Sequence, residues 1–359
     1  MKKLKLAILR NEVPEDDVFW EKSCRELSDR VSWDLIDLTR HDWLERISAT
    51  TYDGLLASPP GWTTAFKAMY DERLQILEMI RPAPIYPSVE EILIYENKKM
   101  LAYWLEAHQV PHPKTRVFYY ENEAADFVKN NPLPLVAKTS IGASGSGVQI
   151  LHNQAEAQEY IQNTFSGQGA ARRRVGPKWK QKGFFLRVLK KLLRPQDLKA
   201  KLQLYKHLGT EIQKDFVILQ EFIPHEYEWR CVRIGDSFFA HKKVKQGEKA
   251  SGSLIKAYEN PPFELLDFVK EITDKRHFLS QSVDIFVAPD GRYLVNEMQC
   301  IFGQSDPYQM LIDGEPGRYR LLDGQWVFEP GDFNRHESYL LRLEHFIELL
   351  TEKNQEVHA

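Results

Sequence analysis

Cysteine is scarce in this chain of 359 residues: Cys24, Cys231 and Cys300 stand far apart, and none forms a Cys-x-x-Cys pair. That argues against a disulfide framework and against a structural zinc site, and a reducing compartment is the simplest reading. Long apolar runs are missing as well. No stretch approaches the roughly 18–20 apolar residues that a membrane span requires. The apolar run at the start, Leu4–Leu9, is too short for a signal-peptide core and reads as a first β-strand, so the protein is expected to be cytoplasmic. Neither sign of charge dominates: the formal net charge is −3, which by itself names no partner. No internal repeat or low-complexity tract stands out.

What is present is an ordinary globular composition, 43% hydrophobic and 28% charged, enough to build a core without staples. The length predicts two or three domains. Residues 1–95 alternate strand-like patches (Leu4–Leu9, Trp33–Leu38, Tyr52–Ala57) with helix-like ones (Phe19–Arg30, Ala65–Ile80). Strands spaced by helices predict a parallel α/β unit. A proline-marked linker, Pro82-Ala-Pro84 and Pro87-Ser88, leads into one long helical stretch, Val89–His108, with Ser88 as N-cap and Glu90-Glu91 in its first turn. Val110-Pro-His-Pro113 stops it before a short strand, Thr115–Tyr119. Leu135–Thr139 and Val148–Leu151 flank a glycine-rich turn and read as a hairpin, followed by a helix over Gln154–Gln162. Phe216–Phe222 is strand-like, Trp229–Ile234 pairs with Ser237–Lys243 across Gly235-Asp236, and Ser282–Val287 pairs with Tyr293–Met298 across Pro289-Asp290-Gly291. Pro262–Phe278 and Tyr339–Glu352 read as helices.

Three constellations carry chemistry. The first is Lys138-Thr-Ser-Ile-Gly-Ala-Ser-Gly-Ser-Gly147. Glycines let a backbone approach a ligand and aim several N–H groups at one anion, and a lysine at the strand end adds a point charge suited to phosphate. The run is neither a P-loop nor Gly-x-Gly-x-x-Gly, and a flexible hairpin tip is the alternative. The second is Asp284 with Glu297 and Gln299: period 2 puts Glu297 and Gln299 on one face of a strand, with Asn296 and Met298 turned the other way. Two carboxylates and an amide oxygen are hard ligands suited to Mg²⁺. An ordinary salt bridge is the alternative, but polar groups inside an otherwise buried strand are costly without a partner. The third is Val217-Ile-Leu-Gln-Glu-Phe-Ile-Pro224, either a core strand or a hinge whose backbone reads an adenine edge.

Taken in order, these elements resemble the ATP-grasp superfamily. Lys98, in Glu96-Asn-Lys-Lys-Met100, stands where that family has a first nucleotide-binding lysine, and Val110-Pro-His-Pro-Lys-Thr115 resembles its Gly-Ile-Pro-x-Pro-x-Thr run, with Gln109-Val110 in the Gly-Ile place. Lys138 and the 140–147 loop match the strand lysine and flexible phosphate lid, with Ser144, Gly145, Ser146 and Gly147 at the phosphates. Gln220, Glu221, Phe222 and Ile223 match the adenine hinge. Asp284, Glu297 and Gln299 match the metal-binding Asp, Glu and Asn, with Gln for Asn keeping the amide oxygen on a longer stem. The resemblance covers residues 85–350. It implies α/β and α+β architecture: an ATP-grasp fold with a preceding N-terminal parallel α/β domain (1–84), a linking helical segment (85–120), a lid subdomain (121–225) and a C-terminal catalytic subdomain (226–359). It implies ATP and Mg²⁺ as cofactors, two ions, with Mn²⁺ as a substitute.

The reaction usual in that superfamily is carboxylate activation, in which ATP phosphorylates a carboxylate and an amine attacks the acyl phosphate. Glu228-Trp-Arg230 followed by Ile234-Gly-Asp236 resembles a segment of the RimK-like amino-acid ligases, which places Glu228 with the nucleotide contacts and Arg230 at the acyl phosphate and oxyanion. Lys243 on the return strand is the candidate for the γ-phosphate, and Lys242 takes that part if a bulge shifts the register. Lys249-Ala-Ser-Gly-Ser253 resembles an acceptor loop of ATP-grasp proteins of bacterial cell-surface polymer biosynthesis. Ordinary strand-surface charge is the alternative for all these cations. His112, His225 and His241 receive no role; Trp62 is either an acceptor contact or a packed loop aromatic.

Residues 163–215 interrupt this pattern. Between Arg172 and Asp215 there are 14 Lys/Arg against 3 acidic residues, a net +11, so the rest of the chain carries −14. The segment, helical in pattern at Phe184–Leu193 and Leu198–Leu208, is read either as a clamp for a small-molecule or polymeric anionic acceptor or as a solvated excursion, with nucleic acid the least favoured partner. The expected function is an ADP-forming carboxylate–amine ligase, forming a carbon–nitrogen bond on an amino acid, peptide or cell-surface glycan precursor. A kinase acting on a sugar or polyol phosphate and a nucleotide-binding module without turnover are the alternatives, and a homodimer is an option.

Overall fold

The computed structural model describes residues 3–13, 15–80, 83–142, 147–171, 212–245 and 255–358. Along the chain run β1 (Leu4–Arg10), α1 (Val18–Glu26), β2 (Val31–Asp37), α2 (Trp43–Ser48), β3 (Gly54–Ala57), α3 (Thr64–Ile80), β4 (Ile85–Tyr86), α4 (Val89–Ile94) and α5 (Lys98–Ala107). Then come β5 (Thr115–Phe118), α6 (Glu121–Asn130), β6 (Leu135–Lys138), β7 (Val148–Leu151), α7 (Gln154–Phe165), β8 (Ala170–Ala171), β9 (Ile212–Gln213) and β10 (Val217–Glu221). The remainder is β11 (Tyr227–Ile234), β12 (Ser237–Val244), β13 (Lys256–Ala257), α8 (Phe263–Asp274), β14 (Ser280–Val287), β15 (Tyr293–Gln299), β16 (Leu311–Ile312), β17 (Glu315–Leu322), β18 (Gln325–Pro330) and α9 (Tyr339–His358). Among the described residues no helix is long and apolar enough to cross a membrane.

The first sheet has the order β2-β1-β3-β4 and is parallel throughout, as the alternating patches require. Parallel sheets bury both faces, and the second cover comes from the far end of the chain. Tyr339, Leu343, Phe346, Ile347 and Leu350 of α9 pack with Leu6, Ile8 and Trp20 in one core. Gly54 is small for this reason: a Cβ there would stand 2.6 Å from the Phe346 ring.

The second sheet, β5-β10-β6-β7, is antiparallel, with α6 and α7 on one side. β5, within the expected linking segment, is its edge strand. The third and largest sheet follows the order β15-β14-β11-β12-β17-β16, with β13 and β18 attached. α8 and α5 cover its back through Leu265, Leu266, Val269, Leu101 and Trp104. The strands β16–β18 carry no sequence expectation, yet each connection holds an Asp-Gly pair with positive φ at both residues: 52° and 84° at Asp313-Gly314, 49° and 80° at Asp323-Gly324. Such dipeptides are strong hairpin signals.

One expectation is corrected. Val89–His108 is not a single helix. Ser88 and Glu91 form a reciprocal capping box at the start of α4, as its sequence implies. The helix then stops: Glu96 adopts φ 49°, and the Asn97 side chain accepts from the Met100 N–H to begin α5. The apolar periodicity runs straight through this break because α4 and α5 both face the core.

Candidate active site

The front face of the third sheet is where buried charge collects. On β11 and β12, Glu228 pairs with Lys243 in register, and Arg230 lies across from Asp284 of β14. Alternation then sends Glu228, Arg230, Lys243 and Asp284 to the same face. The Arg230 guanidinium donates to both Asp284 oxygens at 2.9 Å, and Lys243 Nζ reaches Asp284 Oδ2 at 2.7 Å and Glu228 Oε2 at 2.8 Å. Burial works against the Asp284 charge, but Arg230 and Lys243 together outweigh it and hold the carboxyl well below the usual range. Burial raises Glu228, with Lys243 opposing and Asp284 adding to the rise. Burial also opposes the Arg230 charge, yet Asp284 overcomes it and holds the guanidinium above its ordinary value. Lys242, on the other face, pairs with Glu259 at 2.6 Å and lies 4.2 Å over the Tyr227 ring. The β11–β12 register runs unbroken, so Lys243 faces the cluster and Lys242 does not.

β15 adds Glu297, across from Asp284, and Gln299, across from Ser282. The strand departs from simple alternation. A bulge between Asp284 and Ile285 of the partner leaves Asn296 as the extra residue, and Asn296 turns to the same face as Glu297 instead of away from it. Its amide oxygen accepts from Lys138 Nζ at 2.9 Å, and its nitrogen donates to Glu228 Oε1 at 3.3 Å. Met298 points to the core as expected, 1% exposed. Asn296 thus joins the buried polar cluster, a placement that simple alternation along the strand does not give.

The second sheet closes over this face. Lys138 ends β6, almost wholly buried, and burial pushes its ammonium down to about 8, opposed by Glu297 and reinforced by Lys98. Lys98 opens α5 and donates from Nζ to Gly142 O at 2.7 Å, while its N–H donates to Ser140 O. The root of the glycine-rich loop is therefore docked on the helix break. Glu96, a second residue the sequence reading misses, stands there 3.6 Å from Lys98 Nζ and accepts from Gln299 Nε2 at 3.0 Å. Asn97 in the N-cap position was the signal for a helix starting at Lys98. A small open recess is lined by Glu96, Asn97, Lys98, Glu297, Met298 and Gln299, with Ile94 and Leu101.

Gly147 forms the neck of the hairpin, where a Cβ would fall 1.7 Å from Thr139 Oγ1. Ser144, Gly145 and Ser146 lie outside the described residues, as do Lys249 and the predicted helices of the basic segment. In the hinge run, Gln220 is buried with its amide on Thr115 Oγ1 at 3.0 Å, and the exposed Glu221 accepts from the Lys114 N–H. Phe222 lies under Lys245, 5.8 Å from the ring centre. Ile223 joins Phe286 and Leu294 in a small apolar cluster on the same front face, with the His225 ring tilted 41° to that of Phe286 at 4.4 Å between centres. His241 is buried against Gln309 O, and burial with Arg230 and Lys256 pushes its pKa to about 3, so it stays neutral. His112 bonds Val110 O.

The donor set suits a metal–nucleotide in part. Among the described residues no three His, Cys, Asp or Glu side chains cluster as a metal site. Both Asp284 oxygens are engaged by cations, whereas Glu297 has no hydrogen bond or ion pair among the described residues, and the Gln299 oxygen is likewise free of one. Four carboxylates (Glu96, Glu228, Asp284, Glu297) face four cations (Lys98, Lys138, Arg230, Lys243). One free carboxylate beside an amide oxygen offers hard ligands, and two lysines offer phosphate contacts.

No protein-family model matches the chain. Solved structures do match in shape. A D-alanine–D-alanine ligase from Bacillus anthracis superposes with TM-score 0.52 at 15% identity, covering 98% of this chain and 99% of that one. The biotin carboxylase domain dimer of a Hydrogenobacter thermophilus 2-oxoglutarate carboxylase, solved with MgADP, ADP and bicarbonate, gives 0.53 at 13%, covering 86% and 66%. An N5-carboxyaminoimidazole synthetase from Staphylococcus aureus complexed with ADP gives 0.51 at 10%, covering 85% and 72%. At these identities the likeness is one of fold: the chain has the ATP-grasp fold.

Proposed function

We propose that this protein is an ATP-dependent, ADP-forming carboxylate–amine ligase with its reaction centre on the front face of the third sheet. One observation carries the reading: Lys138, Asn296, Glu228, Lys243, Asp284 and Arg230 form a continuous chain of hydrogen bonds ending beside Glu297, which has no hydrogen bond or ion pair among the described residues. Buried charge on this scale is expensive and adds little net stability on its own, so a ligand is the natural reason to keep it.

In this reading Ile223, Phe286 and Leu294 offer an apolar surface to the adenine beside the hinge residues Gln220, Glu221 and Phe222. Lys98 and Lys138 hold phosphate oxygens, with Ser144, Gly145, Ser146 and Gly147 as the lid. Glu297 and Gln299 would hold Mg²⁺, with Asp284 on the neighbouring strand as the further carboxylate of the set. When bound there, such an ion would supply neutralisation of phosphate charge and polarisation of the transferred group. Arg230, fixed by two bonds to Asp284, keeps a permanent positive charge where an acyl oxyanion would develop. Lys243 balances Glu228 and Asp284 and stands ready for the terminal phosphate. Lys249 takes the acceptor side. An amino acid, peptide or glycan precursor is the proposed substrate class, consistent with a cytoplasmic enzyme.

The test is ADP and phosphate release with Mg-ATP against carboxylates, each with and without amines. Release that needs both partners is the expected result. A phosphorylated product with no need for an amine would replace the ligase with a kinase.

A further inference from the structure

We propose that Glu96 is a positioning residue for the metal pocket, fixing the Gln299 amide so that its oxygen is presented beside Glu297. This rests on the metal reading above.

Gln299 Nε2 donates to Glu96 Oε1 at 3.0 Å. The other branch of that amide, its oxygen, has no hydrogen bond among the described residues, and Gln299 lines the same recess as Glu297. Glutamine carries one more rotatable bond than asparagine, so an untethered amide at this position would spread over several rotamers. A carboxylate accepts and never donates when ionised. It therefore takes hold of the amide by its nitrogen and leaves the oxygen on the side away from Glu96.

Glu96 is itself held rigidly. It is 7% exposed and sits at φ 49° in the gap between α4 and α5, a region that non-glycine residues adopt at some cost. Its second oxygen lies 3.6 Å from Lys98 Nζ. The loop after β3 presses on its stem: a Cβ on Gly61 would stand 2.8 Å from Glu96 Cγ. The break in the helix thus does two things at once, starting α5 at Lys98 and turning a carboxylate onto Gln299. Partners that orient a metal's ligands are worth substantial affinity without touching the ion.

The test is Mn²⁺ affinity in the presence of ADP, read by electron paramagnetic resonance on the full chain, with melting temperatures confirming that each variant is folded. Glu96→Ala should weaken Mn²⁺ about 10–100-fold, and should add nothing in a Gln299→Ala background. Glu96→Gln, whose amide oxygen still accepts from Gln299, should stay within about threefold of the wild type. Equal weakening by Glu96→Ala in both backgrounds would overturn the proposal, because Glu96 would then act without Gln299. So would unchanged affinity in Glu96→Ala. If Glu297→Ala leaves Mn²⁺ affinity intact, the metal reading itself falls, a result separate from either of these.

Discussion

The third sheet presents two faces built from the same strands, and they differ in almost every physical respect. On the back, Trp229, Cys231, Val283, Ile285, Val295 and Met298 pack against α8 and α5. On the front, one residue along in each strand, stand Glu228, Arg230, Asp284 and Glu297. The back stabilises the fold by burying apolar surface. The front holds charges that must balance one another, and it does so only by a closed set of pairs. A buried strand with one polar face marks a candidate site, and alternation along the strand locates that face.

Lysines 242 and 243 sharpen that contrast most. Lys243→Ala removes the shared partner of two buried carboxylates, a loss expected to cost about 3–5 kcal/mol. Lys242→Ala on the other face breaks an exposed ion pair and an aromatic contact, expected to cost below about 1 kcal/mol. Denaturant midpoints of the two variants read this directly, and equal losses would erase the distinction between the faces.

Asn296 tests the bulge, where alternation fails. Asn296→Ala removes an acceptor from Lys138 and a donor to Glu228, and hydrogen bonds to charged groups are worth about 1.5–3 kcal/mol. MgADP binding measured by calorimetry should weaken roughly tenfold or more. Unchanged binding would put Asn296 outside the site.

The smallest effect is a pH dependence. With its pKa near 8, Lys138 is charged below that pH and neutral above it. MgADP affinity should fall as pH rises from 7 to 9, by up to about tenfold, because roughly a tenth of the lysine stays protonated one unit above its pKa. Lys138→Arg, charged throughout, should flatten the profile. A wild-type profile that is already flat would show that this charge does not grip the nucleotide.

How much of this the sequence discloses follows from the same contrast. Period 2 was enough to align Glu297 with Gln299 and to set Asp284 on the neighbouring strand, and the Gly235-Asp236 and Pro289–Gly291 turns paired the right strands. Asn296 was not legible, since a bulge depends on the partner strand's register and not on local pattern. Glu96 was hidden for a related reason: a break of three residues between two helices leaves the 3.6-residue periodicity nearly intact, and only the Asn97 cap betrays it. The covering of the first sheet by α9 joins residues some three hundred positions apart, which no local signal encodes.

The central claim is that this front face binds a metal–nucleotide through Glu297. The most direct measurement is MgADP affinity of wild type and Glu297→Ala by calorimetry, with and without Mg²⁺. The account expects wild-type binding that is strengthened by Mg²⁺, and a folded variant in which the Mg²⁺ strengthening is gone. A Glu297→Ala protein that keeps the full Mg²⁺-dependent affinity would contradict it.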